Sequence, residues 1–125
     1  MANVLIVDDE FAIVEILEMA LTEEGYHVLT AANGRQGLER LAVSPYPDLV
    51  ISDYMMPVLD GPGLLQAMRD SEALRDIPFI VMSAVPEVNV RKQFAGYAAF
   101  IRKPFKLAAL VQLVATILSA ARPET

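Results

Sequence analysis

Val4-Leu5-Ile6-Val7-Asp8-Asp9 is the stretch that decides the fold, and Leu49-Val50-Ile51-Ser52-Asp53 repeats its pattern. Each is a short apolar run, rich in Val and Ile, that ends in carboxylates. Such runs indicate parallel strands covered on both faces, and ligands of open parallel sheets bind beyond the carboxyl ends of the strands. Acidic groups crowded there repel one another unless a hard divalent cation lies between them. The pattern therefore predicts a magnesium-type site with one carboxylate free for chemistry.

Strand-like and helix-like segments alternate five times along the chain. The predicted strands cover residues 3–7, 27–31, 49–52, 79–82 and 98–101. The predicted helices cover residues 10–24, 34–42, 61–70, 87–95 and 106–121, and the fourth has the weakest pattern. A β/α alternation of this length implies one doubly wound parallel sheet with helices on both faces. We therefore expect a single α/β domain over residues 1–121, with residues 122–125 as a polar tail or the start of a linker.

Composition limits the possible classes of function. Ten basic residues against sixteen acidic ones give a net charge of −6, which argues against direct nucleic-acid binding by this chain. The chain has no cysteine, which excludes disulfides and zinc–thiolate sites. Met1-Ala2-Asn3 leads directly into a strand rather than a signal peptide, and the apolar segment at 107–121 is too short to cross a bilayer. These features predict a cytoplasmic protein that does not bind a membrane.

Short polar motifs follow four of the predicted strands. They are Asp8-Asp9-Glu10, Asp53-Tyr54-Met55-Met56-Pro57-Val58-Leu59-Asp60-Gly61, Ser83-Ala84 and Lys103-Pro104-Phe105. In this order they resemble the receiver domain of bacterial two-component response regulators, including the chemotaxis receivers, and the resemblance covers essentially the whole chain. It implies a five-stranded, flavodoxin-like sheet of order 2-1-3-4-5, in which the first and third strands are neighbours. Asp8, Asp9 and Asp53 are then expected to converge.

The resemblance also implies a role for each acidic residue. Asp53 is the implied phosphoacceptor, whose carboxylate attacks phosphorus and becomes an acyl phosphate. Asp9 is implied to bind Mg²⁺ directly and Asp8 mainly through water, while Asp53 and the backbone carbonyl of Met55 complete the ligands. An alternative reading is that Asp8 only caps the first helix and that Asp9 alone matters at the site. Capping and metal binding by Asp8 are nevertheless compatible.

Lys103 and Ser83 are implied to assist the phosphoryl transfer. The Lys103 ammonium would contact phosphoryl oxygens, where positive charge stabilises the transition state, and Ser83 would offer them its hydroxyl. The Lys103-Pro104 peptide is typically cis in receiver-like sequences. Ser83 and Phe100 are the implied switch residues, although an aromatic residue on a strand otherwise suits the core.

The implied function is two-component phosphorelay signalling by a Mg²⁺-dependent phosphoacceptor domain. The resemblance implies a signalling domain rather than an enzyme, although the domain would support its own phosphorylation and a slow autodephosphorylation. The phosphoryl group would come from a sensor histidine kinase or a histidine phosphotransfer protein. The face made by helix 4, strand 5 and helix 5 would contact an output protein or a second copy of the chain. In that region Gly96-Tyr97-Ala98-Ala99-Phe100 departs from the commoner family pattern, so we expect helix 4 to be short, shifted or mobile.

Three alternatives differ in what they require of these motifs. A phosphatase of the haloacid dehalogenase type needs a second Asp two residues after Asp53, where this chain has Met55. A flavin or nucleotide binder needs a Gly- or Ser/Thr-rich loop in place of Asp8-Asp9, whose charges repel phosphate. An interaction module that works without phosphate differs from a receiver only in a phosphorylation assay.

Overall fold

A computed structural model describes residues 2–121. Strands and helices alternate along the chain as β1 (Asn3–Val7), α1 (Phe11–Glu23), β2 (His27–Ala31), α2 (Gly34–Leu41), β3 (Leu49–Asp53), α3 (Gly61–Arg69), β4 (Phe79–Ser83), α4 (Glu87–Arg91), β5 (Ala99–Arg102) and α5 (Leu107–Ala121). All ten predicted elements are present, and every boundary except the end of α4 agrees within one residue. The predicted tail, residues 122–125, lies outside the described residues.

The five strands form one parallel sheet of order β2-β1-β3-β4-β5, which confirms the predicted topology. Alternate residues of each strand face opposite sides of the sheet, because the side-chain period of a strand is two. Leu5 and Val7 of β1 therefore pack with α2, α3 and α4 in one buried cluster. Val4 and Ile6 pack with α1 and α5 in the other. The doubly wound architecture buries the sheet on both faces.

Helix α4 ends at Arg91, four residues before its predicted end at 95. Phe94 turns into the core instead, with its ring edge-on to Phe79 at a centroid distance of 6.3 Å and 5.3 Å from the ring of Tyr97. Gly96 then adopts a φ of +95°, which lies outside helical conformations. Burial of the Phe94 ring therefore outweighs one further turn of a helix whose β-branched residues have modest helix propensity.

Helix α5 packs along its full apolar stripe. Leu110, Val114 and Leu118 are buried, and the flanking Leu113 and Ile117 are half-buried against the same cluster. The width of the stripe is thus used mostly in contacts with the sheet and α1. Within residues 2–121, no helix combines the length and apolarity that a membrane span needs.

The loop from β3 to α3 folds back onto the end of β3. Asp60 caps α3, because its Oδ1 accepts a hydrogen bond from Gly63 N at 2.9 Å. A Cβ atom at Gly61 would lie 2.6 Å from the carbonyl oxygen of Asp53, so only glycine allows this close approach. Leu59 N donates to Pro57 O at 2.8 Å around Val58, whose φ is +73°. This tight turn holds the loop beside the acidic edge of the sheet.

Candidate functional site

Asp8 and Asp53 lie together at the carboxyl edge of the sheet. Their strands are neighbours, and Val7 is in register with Ser52. Asp8 is 1% exposed and Asp53 is 8% exposed, so both carboxylates are nearly removed from water. Carboxylate oxygens of Asp8, Glu10 and Asp53 lie within 4.8 Å of one another, a spacing that suits a bound metal ion. Of the three residues predicted to converge, Asp8 and Asp53 belong to this group and Asp9 does not, whereas Glu10, to which the sequence pattern assigned no role, joins them.

One ammonium group serves all three carboxylates. Lys103 Nζ lies 2.9 Å from Asp8 Oδ2, 3.1 Å from Glu10 Oε1 and 3.4 Å from Asp53 Oδ1. The backbone of Lys103 continues the sheet ladder, because its N–H donates to Ser83 O at 2.8 Å. The Lys103-Pro104 peptide is cis, as the family resemblance implied. Since a single positive charge faces three negative ones, the cluster keeps an excess of negative charge.

Burial is the largest cause of the raised pKa values of the two aspartates in the cluster. Burial, together with the charges of Asp8 and Asp9, raises the pKa of Asp53 to about 6 against the attraction of Lys103. Burial also raises the pKa of Asp8, against its hydrogen bonds from Glu10 N and Lys103. Burial lowers the pKa of Lys103, but its bonds to the carboxylates outweigh burial and leave that pKa raised. The site therefore holds Lys103 charged and disfavours ionisation of Asp53.

Asp8 shapes the turn into α1 without capping that helix. Its Oδ1 accepts a hydrogen bond from Glu10 N at 2.8 Å, while Oδ2 faces Lys103. The N-cap position of α1 is Glu10, and its side chain makes no capping bond. The alternative in which Asp8 only caps the first helix is therefore wrong, since one carboxylate oxygen orders the turn and the other faces the site.

Asp9 occupies a different position from the three clustered carboxylates. Its side chain is exposed and is not a member of the group within 4.8 Å. With Met55, Met56, Pro57 and Asp60 it lines a depression of 260 Å³ on the β3–α3 loop. Its charge is nevertheless close enough to Asp53 to raise the pKa of that residue. Asp9 and the Met55 loop therefore line a depression of their own, while Lys103 contacts Asp8 and Glu10.

The two predicted switch residues are both drawn inward. Ser83 is 1% exposed, and its Oγ accepts a hydrogen bond from Val85 N at 2.9 Å and donates one to Val85 O at 3.1 Å. The hydroxyl is thus bonded along its own loop. Phe100 is half-buried and packs on the core cluster, with its ring 6.3 Å from that of Tyr97.

Comparisons with known proteins agree with this geometry. The model of the response regulator receiver domain family matches residues 4–115. A probable transcriptional regulator, ycf27, of Porphyra purpurea is 38% identical over 121 residues, which are 95% of this chain and 48% of that protein. The chain thus spans about half the length of this curated relative.

Two solved structures have the same fold. The signal receiver domain of a signal transduction histidine kinase from Syntrophus aciditrophicus is 34% identical, with a TM-score of 0.89 over 100% of this chain and 96% of that one. The receiver domain of sensor histidine kinase PA1611 from Pseudomonas aeruginosa PAO1 is 28% identical, with a TM-score of 0.85 over 94% of this chain and 98% of that one. It was solved with a magnesium ion coordinated in its active site cleft. By the family model, the relative and the shared fold, this chain belongs to the receiver domains of response regulators.

Proposed function

We propose that this receiver domain is a Mg²⁺-dependent phosphoacceptor, which takes a phosphoryl group from a histidine of a partner protein onto Asp53. The observation that carries the proposal is the position of the Asp53 carboxylate. It lies at the carboxyl edge of the sheet, nearly buried, beside Asp8 and 3.4 Å from the Lys103 ammonium. A buried nucleophile next to a fixed positive charge suits phosphoryl transfer, which depends on positioning and electrostatic stabilisation.

The donor set fits a magnesium ion. Its oxygens belong to carboxylates, the ligands that this hard cation prefers, and one ammonium leaves them under-neutralised. Asp8, Asp9, Asp53 and the Met55 carbonyl are the residues that would hold it, and the position of Glu10 adds a fifth candidate. The magnesium ion coordinated in the active site cleft of the Pseudomonas receiver supports the binding of magnesium at this site. When bound, the ion would neutralise charge on the carboxylates and the phosphoryl oxygens.

The transfer itself exchanges one bond for another. An Asp53 oxygen attacks phosphorus and forms an O–P bond, while the P–N bond to the donor imidazole breaks and the imidazole leaves with the electron pair. Asp53 must be ionised to attack, which its pKa of about 6 allows at neutral pH. Lys103 must turn from the carboxylates to the new phosphoryl oxygens. Ser83 would then bond a phosphoryl oxygen, and Phe100 would occupy the space that the loop vacates.

Partners and location belong to the same proposal. The donor would be a sensor histidine kinase or a histidine phosphotransfer protein, and the face of α4, β5 and α5 would contact an output protein or a second copy. The net charge of −6 predicts no direct nucleic-acid contact by these residues. The comparisons give that expectation no support, since the Porphyra relative is named a transcriptional regulator. The predicted cytoplasmic location stays a prediction.

Labelling with acetyl phosphate tests the proposal. We expect Mg²⁺-dependent incorporation of one phosphoryl group into wild type and none into Asp53→Asn. Asp9→Ala should keep only a small fraction of the wild-type labelling. Asp76→Asn makes the same change as Asp53→Asn at an exposed position before β4, and it should label normally. Labelling that persists in Asp53→Asn contradicts the phosphoacceptor assignment. Loss of labelling in Glu10→Ala but not in Asp9→Ala would move the metal ligand from Asp9 to Glu10. A wild-type chain that takes no label is the result expected of a phosphate-independent module.

A further inference from the structure

Arg102 is the last residue of β5 and is paired in register with Ser83, the last residue of β4. Its Nε donates a hydrogen bond to the carbonyl oxygen of Ala84 at 3.0 Å. The ion pairs found within residues 2–121 involve Lys103 and Arg91 and do not include Arg102. The side chain of Arg102 is therefore used to hold backbone of the β4–α4 loop.

The same short loop is held by a second device. The Ser83 hydroxyl bonds both the N–H and the carbonyl of Val85, so the peptides on either side of Val85 are tied back to the end of β4. Arg102 ties the carbonyl between Ser83 and Val85 to the end of β5. Three side-chain hydrogen bonds thus fix a loop of which Ala84 is an exposed residue.

This arrangement opposes a movement of Ser83 that the proposed function requires, and the inference rests on that function. For Ser83 to bond a phosphoryl group on Asp53, its hydroxyl must leave Val85, and the Ala84 peptide beside it must shift with the loop. That shift breaks or stretches the bond from Arg102. We propose that Arg102 is a positioning residue, which restrains the β4–α4 loop in its resting arrangement and so sets how readily Ser83 reaches the phosphoryl group.

Loss of the restraint and loss of the Arg102 charge should change anion binding in opposite directions. Removing a cation near an anion site weakens anion binding, whereas releasing the loop makes the phosphorylated arrangement easier to reach. Arg102→Ala should therefore tighten the binding of BeF₃⁻, a phosphoryl mimic, in the presence of Mg²⁺. One hydrogen bond from a charged donor at an exposed position corresponds to roughly a three- to tenfold change in half-saturation.

The experiment is a titration of BeF₃⁻ with saturating Mg²⁺, followed by amide NMR signals of the full chain. We expect roughly three- to tenfold tighter binding by Arg102→Ala and a value closer to wild type for Arg102→Lys, which keeps a donor. Lys106→Ala removes an exposed charge four residues along and should not tighten binding. In a Ser83→Ala background, Arg102→Ala should have less than about a twofold effect, because no hydroxyl then needs to move.

Unchanged or weaker binding by Arg102→Ala overturns the proposal, as does an equal tightening in the Ser83→Ala background. Hydrogen exchange of the Val85 amide in the unmodified protein gives an independent measurement. We expect its protection to fall roughly threefold or more in Arg102→Ala and to stay unchanged in Lys106→Ala. If the wild-type chain binds no BeF₃⁻, the proposed function fails, whereas the exchange data still decide whether Arg102 restrains the loop.

Discussion

Asp53→Asn should make the folded chain more stable at neutral pH, although it removes the carboxylate proposed as the phosphoacceptor. Burial and the charge of Asp8 raise the pKa of Asp53 from 3.8 to about 6, so ionisation is harder in the folded than in the unfolded chain. Each tenfold change in proton affinity corresponds to about 1.4 kcal/mol. Ionised Asp53 therefore lowers the free energy of unfolding at pH 7 by roughly 3 kcal/mol, and the neutral amide should recover roughly 2 to 3 kcal/mol of it.

The sign of the pH dependence follows from the same shift. Between pH 3.8 and about 6 the unfolded chain has lost the Asp53 proton while the folded chain retains it. The free energy of unfolding therefore falls as pH rises through this window, and it loses that dependence above it. Since asparagine does not titrate, the stability difference between Asp53→Asn and wild type should be small near pH 4 and largest near pH 7.

Urea unfolding followed by far-ultraviolet circular dichroism measures this difference, and it suits a chain without tryptophan. Glu72→Gln makes an equivalent carboxylate-to-amide change at an exposed position and should alter stability by less than about 0.5 kcal/mol. The reasoning is refuted if Asp53→Asn is no more stable than wild type at pH 7, or if the two stability curves run parallel from pH 4 to pH 7. Added Mg²⁺ should stabilise wild type more than Asp53→Asn, because the variant lacks one of the proposed metal ligands.

Two further predictions concern the loops beside the site. Val58 has a φ of +73° and a 72% exposed side chain, so Val58→Gly should raise the free energy of unfolding by about 1 kcal/mol in urea titrations, whereas Val43→Gly, at a 66% exposed position, should lower it. The side chains of Met55 and Val85 offer no strong hydrogen bond to the water that would hydrolyse an acyl phosphate on Asp53. The double change Met55→Asn with Val85→Glu should speed loss of phosphate from Asp53 roughly tenfold in single-turnover decay, about 1.4 kcal/mol in the barrier. Equal half-lives of the phosphorylated double variant and phosphorylated wild type would show that exclusion of water by Met55 and Val85 does not control the rate of hydrolysis.

The architecture followed from the sequence because its causes are local. Apolar runs of strand length, helical periodicity and loop residues such as Asp60 specify elements whose alternation leaves few topologies. The strand order came from the resemblance to receiver domains, and the meeting of Asp8 with Asp53 follows from that order, since parallel strands end at one edge of a sheet. The length of α4 did not follow, because burial of the Phe94 ring between Phe79 and Tyr97 is a tertiary contact that outweighs weak helix propensity.

The acidic motif by itself marked Asp8, Asp9 and Asp53 as a set, and only the tertiary structure distinguished Glu10 from Asp9. Residue spacing does not determine which of two neighbouring side chains turns toward a lysine 93 positions further along the chain. That choice depends on where β5 ends and on the reach of the Lys103 side chain across the sheet edge. The bonds of Ser83 and Arg102 to the β4–α4 loop have the same origin, because they form between strand ends that become neighbours only when the sheet is complete.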